Sequence, residues 1–315
     1  MLTSDTKIDE NIRARHDKGI GISNQILSML KEVSFGVYHF EMGILFRTSL
    51  LLNGILYNTE ALFSLSDSHI ESLEECDKYL MRQLFNVEIS APIESLFIES
   101  STIPVRFILR GRRLMYYWCI LHKNESELVK RVFLALKEFP GKKKDWIKSV
   151  KEDIDFFQLG VNEDEICKMT QYKFKKLVSK QMKSKASEYL TTLQMKHTKS
   201  QYLYQEPKMK EYLTTEMLSV RQKQLLFKLR SRLTPNKTNY RNRYENNLSC
   251  SLCKDPRTEE NEIHLLSCDF LMNNPKVGPE LNTIEYRDIF KSLPQQINFV
   301  IPHTKIARRT TGAKS

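Results

Sequence analysis

Four residues near the C-terminal end have the types and spacing of a metal site. They read Cys250-Ser-Leu-Cys253, ten residues, then His264-Leu-Leu-Ser-Cys268, a C-x2-C-x10-H-x3-C pattern. Two cysteines at x2 spacing put both thiolates on one tight turn. A histidine and a cysteine four apart share one face of a helical turn. Three thiolates and an imidazole suit the four-coordinate, soft-ligand preference of structural Zn²⁺. Because protein fills every position, no place stays open for a water nucleophile. The expected role is therefore structural or nucleic-acid-gripping, not catalytic. The segment has little apolar material of its own, so its folding should draw on metal ligation, which supplies about 10–16 kcal/mol of apparent binding free energy in such sites.

Basic side chains form the second kind of candidate. Arg106, Arg110 and Arg113 are spaced i, i+4, i+7, with Arg112 beside them. Their stripe lies about a quarter turn from a Phe107, Leu114, Trp118, Leu121 stripe. One face can pack while its flank offers planar guanidinium donors to phosphates. A solvated face, or ion pairs with nearby glutamates, is the plainer alternative. Lys173, Lys176 and Lys180, with Lys175, Lys183 and Lys185, make a further basic surface. Arg230 and Arg232, with Arg221, Lys223, Lys228 and Lys237, lead into the cysteine cluster. A basic helix feeding a metal module is a stronger nucleic-acid signal than either alone. Tyr116 and Tyr117 have faces on which bases can stack, but their place beside an apolar stripe favours a core role.

The elements that must position these groups are almost all helical by periodicity. Ile12, Gly19, Ile20, Ser23, Ile26, Leu27 and Leu30 make one stripe, and Phe40 to Leu52 a more buried segment. Ser68 with Glu71 predicts a capping box before Leu73, Cys76, Leu80 and Leu84. Pro92 and Pro104 each start a helix. Asn124 with Glu127 caps a segment ending before Pro140. Pro140 to Lys144 reads as a surface connection. A helix around Trp146 to Phe157 stops at Gly160, and a lysine-rich helix runs from about Tyr172 to Lys196. His197 to Lys208 reads as a linker. Ser219 with Gln222 starts a helix to about Leu233. An amphipathic piece, Ile284 to Leu293, and a basic tail follow the cysteines. The expected class is mainly α: a helical bundle (1–139), a basic helical linker region (140–218), a basic helix with the metal module (219–270), and a short helix with a basic tail (271–315).

Composition limits the function classes. In 315 residues, 41% are hydrophobic and 10% aromatic, with ten Gly and ten Pro. That excludes bulk disorder and collagen-like chains. The net charge is +11. Thr170 to Lys237 holds 16 Lys/Arg against 4 Asp/Glu, leaving the remainder close to neutral. Such local excess suits a polyanion, here RNA or DNA held mainly through its phosphates. The run Met42 to Tyr57 carries Arg47 and Asn53 and is too short to span a bilayer, so no membrane role is expected. Met1 to Arg15 is polar, and the six cysteines do not form a secreted-type framework. The expected location is the nucleus or cytoplasm, not outside the cell.

The order of motifs resembles one family. Arg47-Thr-Ser-Leu-Leu-Leu-Asn-Gly-Ile-Leu-Tyr57-Asn-Thr-Glu60 resembles the R/K-x-S-x-L-x-x-x-x-L-Y-G-x-E segment that follows the palm of non-LTR (LINE-like) retrotransposon reverse transcriptases. Asn58 stands where that pattern has glycine. Leu73 to Phe85, with Asp77 and Arg82, is similar to the next L-x-x-x-D-x-x-x-x-R-x-x-L helix. Ile103-Pro-Val-Arg-Phe-Ile-Leu-Arg-Gly-Arg-Arg-Leu-Met-Tyr-Tyr-Trp118 is similar to its L-P-x-x-x-x-I-x-x-R-R-L-x-Y helix. Leu226 to Leu233 with the Cys/His cluster resembles the family's C-terminal zinc knuckle, and Tyr286 to Phe290 the helix after it.

The resemblance implies a thumb, linker and knuckle that grip primer–template, element RNA or target DNA in target-primed reverse transcription. It also implies Zn²⁺ at the four ligands. The family's palm carries a Y/F-A-D-D turn whose aspartates bind Mg²⁺, and no Asp-Asp pair occurs here. After Cys268 only 47 residues remain, too few for a restriction-like endonuclease. The chain is therefore expected to bind rather than catalyse. A host protein adapted from such an element, using the same parts for nucleic-acid or protein contacts, is the alternative.

Overall fold

The computed structural model describes residues 5–62, 65–139, 145–197, 199–200, 203, 208–234, 238, 248–250, 252–261, 264 and 268. The expected Pro140 to Lys144 connection, most of the His197 to Lys208 linker and everything expected after Cys268 lie outside these residues. The fold is mainly α. Its helices are α1 (Asp5–Glu32), α2 (His39–Phe46), α3 (Leu52–Leu56), α4 (Asp67–Phe85), α5 (Ile93–Ser100), α6 (Val105–Leu121), α7 (Leu128–Glu138), α8 (Trp146–Phe156), α9 (Glu163–Lys168), α10 (Gln171–Lys196), α11 (Glu211–Thr214) and α12 (Val220–Arg230). Among the described residues, the β structure is one isolated bridge, Ser249 with Glu259. No described helix is long and apolar enough to cross a membrane.

Local chemistry accounts for most boundaries. Pro92 and Pro104 sit at the N-caps of α5 and α6. Ser219 and Gln222 form the reciprocal capping box of α12. Its C-terminus closes earlier than expected: Arg232 takes φ 49, and the N–H groups of Arg232 and Leu233 bond to the carbonyls of Leu229 and Lys228. This is a Schellman closure with arginine in the left-handed place. Two other expectations shift. Ser66, not Ser68, accepts the His69 N–H at the start of α4. Asn124 Oδ1 accepts the Ser126 N–H in a turn, and α7 begins only after Glu127. Helix α9 goes unmarked by the sequence reading, although Asn162 and Glu165 form a full capping box.

Between α2 and α3 the helix widens into a π turn, Arg47–Leu51. Arg47, Leu51 and Ile55 are all buried, at successive spacings of four. Four residues overshoot an α turn of 3.6, so the wider winding keeps the three on one line.

Two compact units make up the chain. The first comprises Met1–Met29, Leu45–Met81 and Thr102–Thr192, and the second Leu30–Ile44, Arg82–Ser101 and Leu193–Ser315. They interleave along the sequence. In the first unit, Phe107, Leu114 and Tyr117 of α6 pack with Trp146, Val150, Phe157, Ile166, Phe174 and Val178. The stretch expected to be a linker therefore supplies much of a core. Trp146 Nε1 donates to the Glu60 carbonyl at 2.8 Å, and Trp118 Nε1 to that of Met169 at 3.0 Å. In the second unit, the rings of Phe40, Phe85 and Phe227 run in series at 5.0 and 4.4 Å. There Lys223 is buried and donates to the carbonyls of Val37 and Leu213 at 2.7 and 2.8 Å.

Candidate metal centre

The second unit brings the four expected ligands together. The donor atoms of Cys250, Cys253, His264 and Cys268 all lie within 4.8 Å of one another. Cys250 Sγ is 3.9 Å from Cys268 Sγ, and Cys253 Sγ is 3.4 Å from His264 Nε2. The group can hold a metal ion. Cys250 and Cys268 are buried, while Cys253 and His264 are partly exposed.

Short-range hydrogen bonds build the turn that carries the first pair. The Glu260 N–H bonds to the Leu248 carbonyl at 2.8 Å, and the Cys250 N–H to that of Thr258 at 3.1 Å. The Lys254 N–H then returns to the Cys250 carbonyl at 3.0 Å, with Lys254 at φ 59. This folds the chain back so that two side chains three residues apart converge. A backbone hydrogen bond from Asp255 is the largest influence on the Cys253 thiol and lowers its pKa, favouring thiolate. On the other side, Asn261 Oδ1 accepts the His264 N–H at 2.8 Å, as an N-cap does. Thr258, whose Oγ1 lies 3.8 Å from Cys253 Sγ, and Asn261 were not singled out from sequence. The Asn-x-x-His spacing is the signal for the second.

The arginine row of α6 has other partners. Arg106 Nη2 and Nε meet the two oxygens of Glu74 at 2.6 and 2.8 Å, and its guanidinium lies over Tyr189. Hydrogen bonding to Glu74 raises its pKa further. Arg110 and Arg113 share Asp153, at 2.7 and 3.3 Å. Arg112 donates to Asn53 Oδ1 at 2.6 Å. Arg230 of α12 grips Glu99 with Nε and Nη2, at 2.9 and 3.0 Å. Arg113 and Arg230 are 6% and 1% exposed, so they belong to the interior, not to a phosphate surface. The expected row of phosphate contacts on α6 is a row of internal ion pairs. Arg232 is half-buried at the end of α12.

The lysine row of α10 is different. Lys173, Lys176, Lys180 and Lys183 are exposed and share one face by their 3-4-3 spacing. Among the described residues their ammonium groups have no hydrogen bond or ion pair, whereas Lys185 reaches Glu188 at 2.9 Å. Compared with protein-family models, curated proteins and solved structures, the chain has no match.

Proposed function

We propose that this chain binds RNA or DNA through the lysine face of α10, with Cys250, Cys253, His264 and Cys268 holding a structural Zn²⁺. The observation that carries the binding role is the row of four exposed lysines without carboxylate partners among the described residues. Elsewhere on the fold, Arg106, Arg110, Arg113 and Arg230, expected to contact phosphates, are paired with carboxylates. A contiguous ammonium row is sequence-independent chemistry that fits a phosphate backbone.

The ligand geometry supports zinc. Metal–ligand distances of about 2.3 Å to sulfur and about 2.0–2.1 Å to nitrogen give tetrahedral edges of roughly 3.8 Å between sulfurs and roughly 3.5 Å from sulfur to nitrogen. Two of the six separations here are 3.9 and 3.4 Å, and all lie within 4.8 Å. When bound, the ion supplies a crosslink between the turn and the His264 segment. The chain's own residues fill four positions, which suits structure rather than hydrolysis.

Two observations support descent from the thumb and knuckle end of a non-LTR reverse transcriptase. Asn58, in the glycine position of that pattern, has φ 55 and ψ 15, a conformation glycine adopts freely and asparagine tolerates. Arg47 and Asp77, from two of the resembling segments, form a buried bidentate pair at 2.5 and 2.7 Å. Arg47 also donates to the Ile103 carbonyl, at the head of a third. The activity proposed for the chain is holding polynucleotide, not extending it.

The test is salt-dependent binding of a single-stranded oligonucleotide by the full chain. Replacing Lys173, Lys176 and Lys180 together by Gln should weaken binding and reduce the log–log salt slope by about 2–3. An unchanged slope contradicts the proposal. Metal analysis should give zinc in the wild type and none in Cys253→Ser.

A further inference from the structure

A cavity of about 530 Å³ lies in the first unit between α6 and α10. That volume is within the range of small-ligand sites, roughly 300–1,000 Å³. Its walls are apolar and adaptable: Met115 and the Tyr116 ring from α6, Val178 and Met182 from α10. The two helices come close at Gly111, where an added Cβ would stand 3.1 Å from Met182 Sδ. The glycine leaves bare backbone along one wall of this slot between the helices. Cations stand on both sides, Arg112 on α6 and Lys175 on α10. Glu60 lies in the remaining wall.

On α10 the cavity residues Lys175, Val178, Ser179 and Met182 occupy one face, and the lysine row occupies the next face round. A backbone-tracking cationic row beside a flat apolar slot is the arrangement that holds single strands. We infer that this slot takes one unstacked nucleobase of a single-stranded polynucleotide, with Arg112 and Lys175 meeting its flanking phosphates. This rests on the reading of the chain as a polynucleotide binder and adds strandedness to it.

The probe is a single-stranded DNA with one central 2-aminopurine, compared with its blunt duplex, using the full chain. Wild type should prefer the single strand, and the 2-aminopurine fluorescence should change on saturation. Ser179→Phe, which fills the slot and keeps every lysine, should lose about tenfold in single-strand affinity while duplex affinity stays within about twofold. Binding with silent fluorescence, or equal affinity of Ser179→Phe for the single strand, overturns the slot and leaves the lysine row standing. Failure of the wild type to bind any polynucleotide overturns both. Duplex preference, or binding of an aliphatic anion at the slot in place of the oligonucleotide, also overturns it. The fluorescence reading on wild type is independent of whether the variant folds.

Discussion

Arg47 gathers three stretches of chain at one buried point, the side chain of Asp77 and the main chain of Ile103. Both charges of the pair are almost fully excluded from water, at 3% and 1% side-chain exposure. A pair of this kind adds little over an apolar replacement, but removing one member strands the other. Asp77→Ala should therefore cost about 3–5 kcal/mol in urea unfolding, and Arg47→Met with Asp77→Leu should recover much of that loss. If Asp77→Ala unfolds within about 1 kcal/mol of wild type, the pair does not organise this region. Asp153 makes a pH-dependent contribution. Burial is the largest influence on it and pushes its carboxyl up to about 6, against the pull of Arg113 and Arg110. The unfolded chain titrates it near 3.8. Between those values the folded form keeps a proton that the unfolded form has released. Stability from this group is thus present below about pH 4 and lost as pH rises through about 6. Asp153→Asn, which stays neutral, should flatten the unfolding free energy across that window, and an unchanged slope would rule this out.

At the scale of elements, backbone sign and capping decide more than periodicity does. Asn58 ends the helix that includes α3, and Arg15 donates to the neighbouring carbonyls of Ile55 and Tyr57. Asn58→Gly should leave stability within a few tenths of a kcal/mol, while Asn58→Val should cost about 1–2 kcal/mol, read from denaturation midpoints. Equal behaviour of the two would mean that the left-handed turn is not required. Much at this scale was legible in the sequence. The prolines before α5 and α6, the Ser219/Gln222 box and the glycine after α8 each act through one or two residues in a row. The lysine-rich helix was placed within a residue at its start, but its buried line of Phe174, Val178, Ala186 and Leu190 was hidden by the charges between them. For the same reason the arginine row of α6 was found and its partners were not. Glu74 lies 32 residues before Arg106 and Asp153 lies 43 after Arg110. No local pattern carries such distances. The cluster of Cys250, Cys253, His264 and Cys268 was legible because metal-binding chemistry restricts spacing, whereas an ion pair can be closed from anywhere in the chain.

For the whole molecule, the interleaving of the two units sets what metal removal can do. Chelation should release the segment from Leu248 to Cys268, because its described backbone bonds are few, and beyond the segment they reach only Thr238. The helices of the first unit contain no donor to the site and should keep their protection. Hydrogen exchange with and without chelator checks this. Unchanged protection in the Leu248 to Cys268 segment would show that it folds without an ion, and collapse of α6 and α8 would show a dependence absent from the ligand set.

The π turn at Arg47–Leu51 has a consequence for how this stretch can vary. Thr48, Ser49 and Leu50 face solvent within it, so their identities are loosely constrained. Their number is not. An in-frame loss of one codon here would remove the residue that the wide turn accommodates, and Arg47 would shift along the helix axis relative to Leu51. Arg47 and Leu51 could not then both keep their places. Residue types can change across these positions, but a chain one residue shorter there would disturb the junction that Arg47 makes.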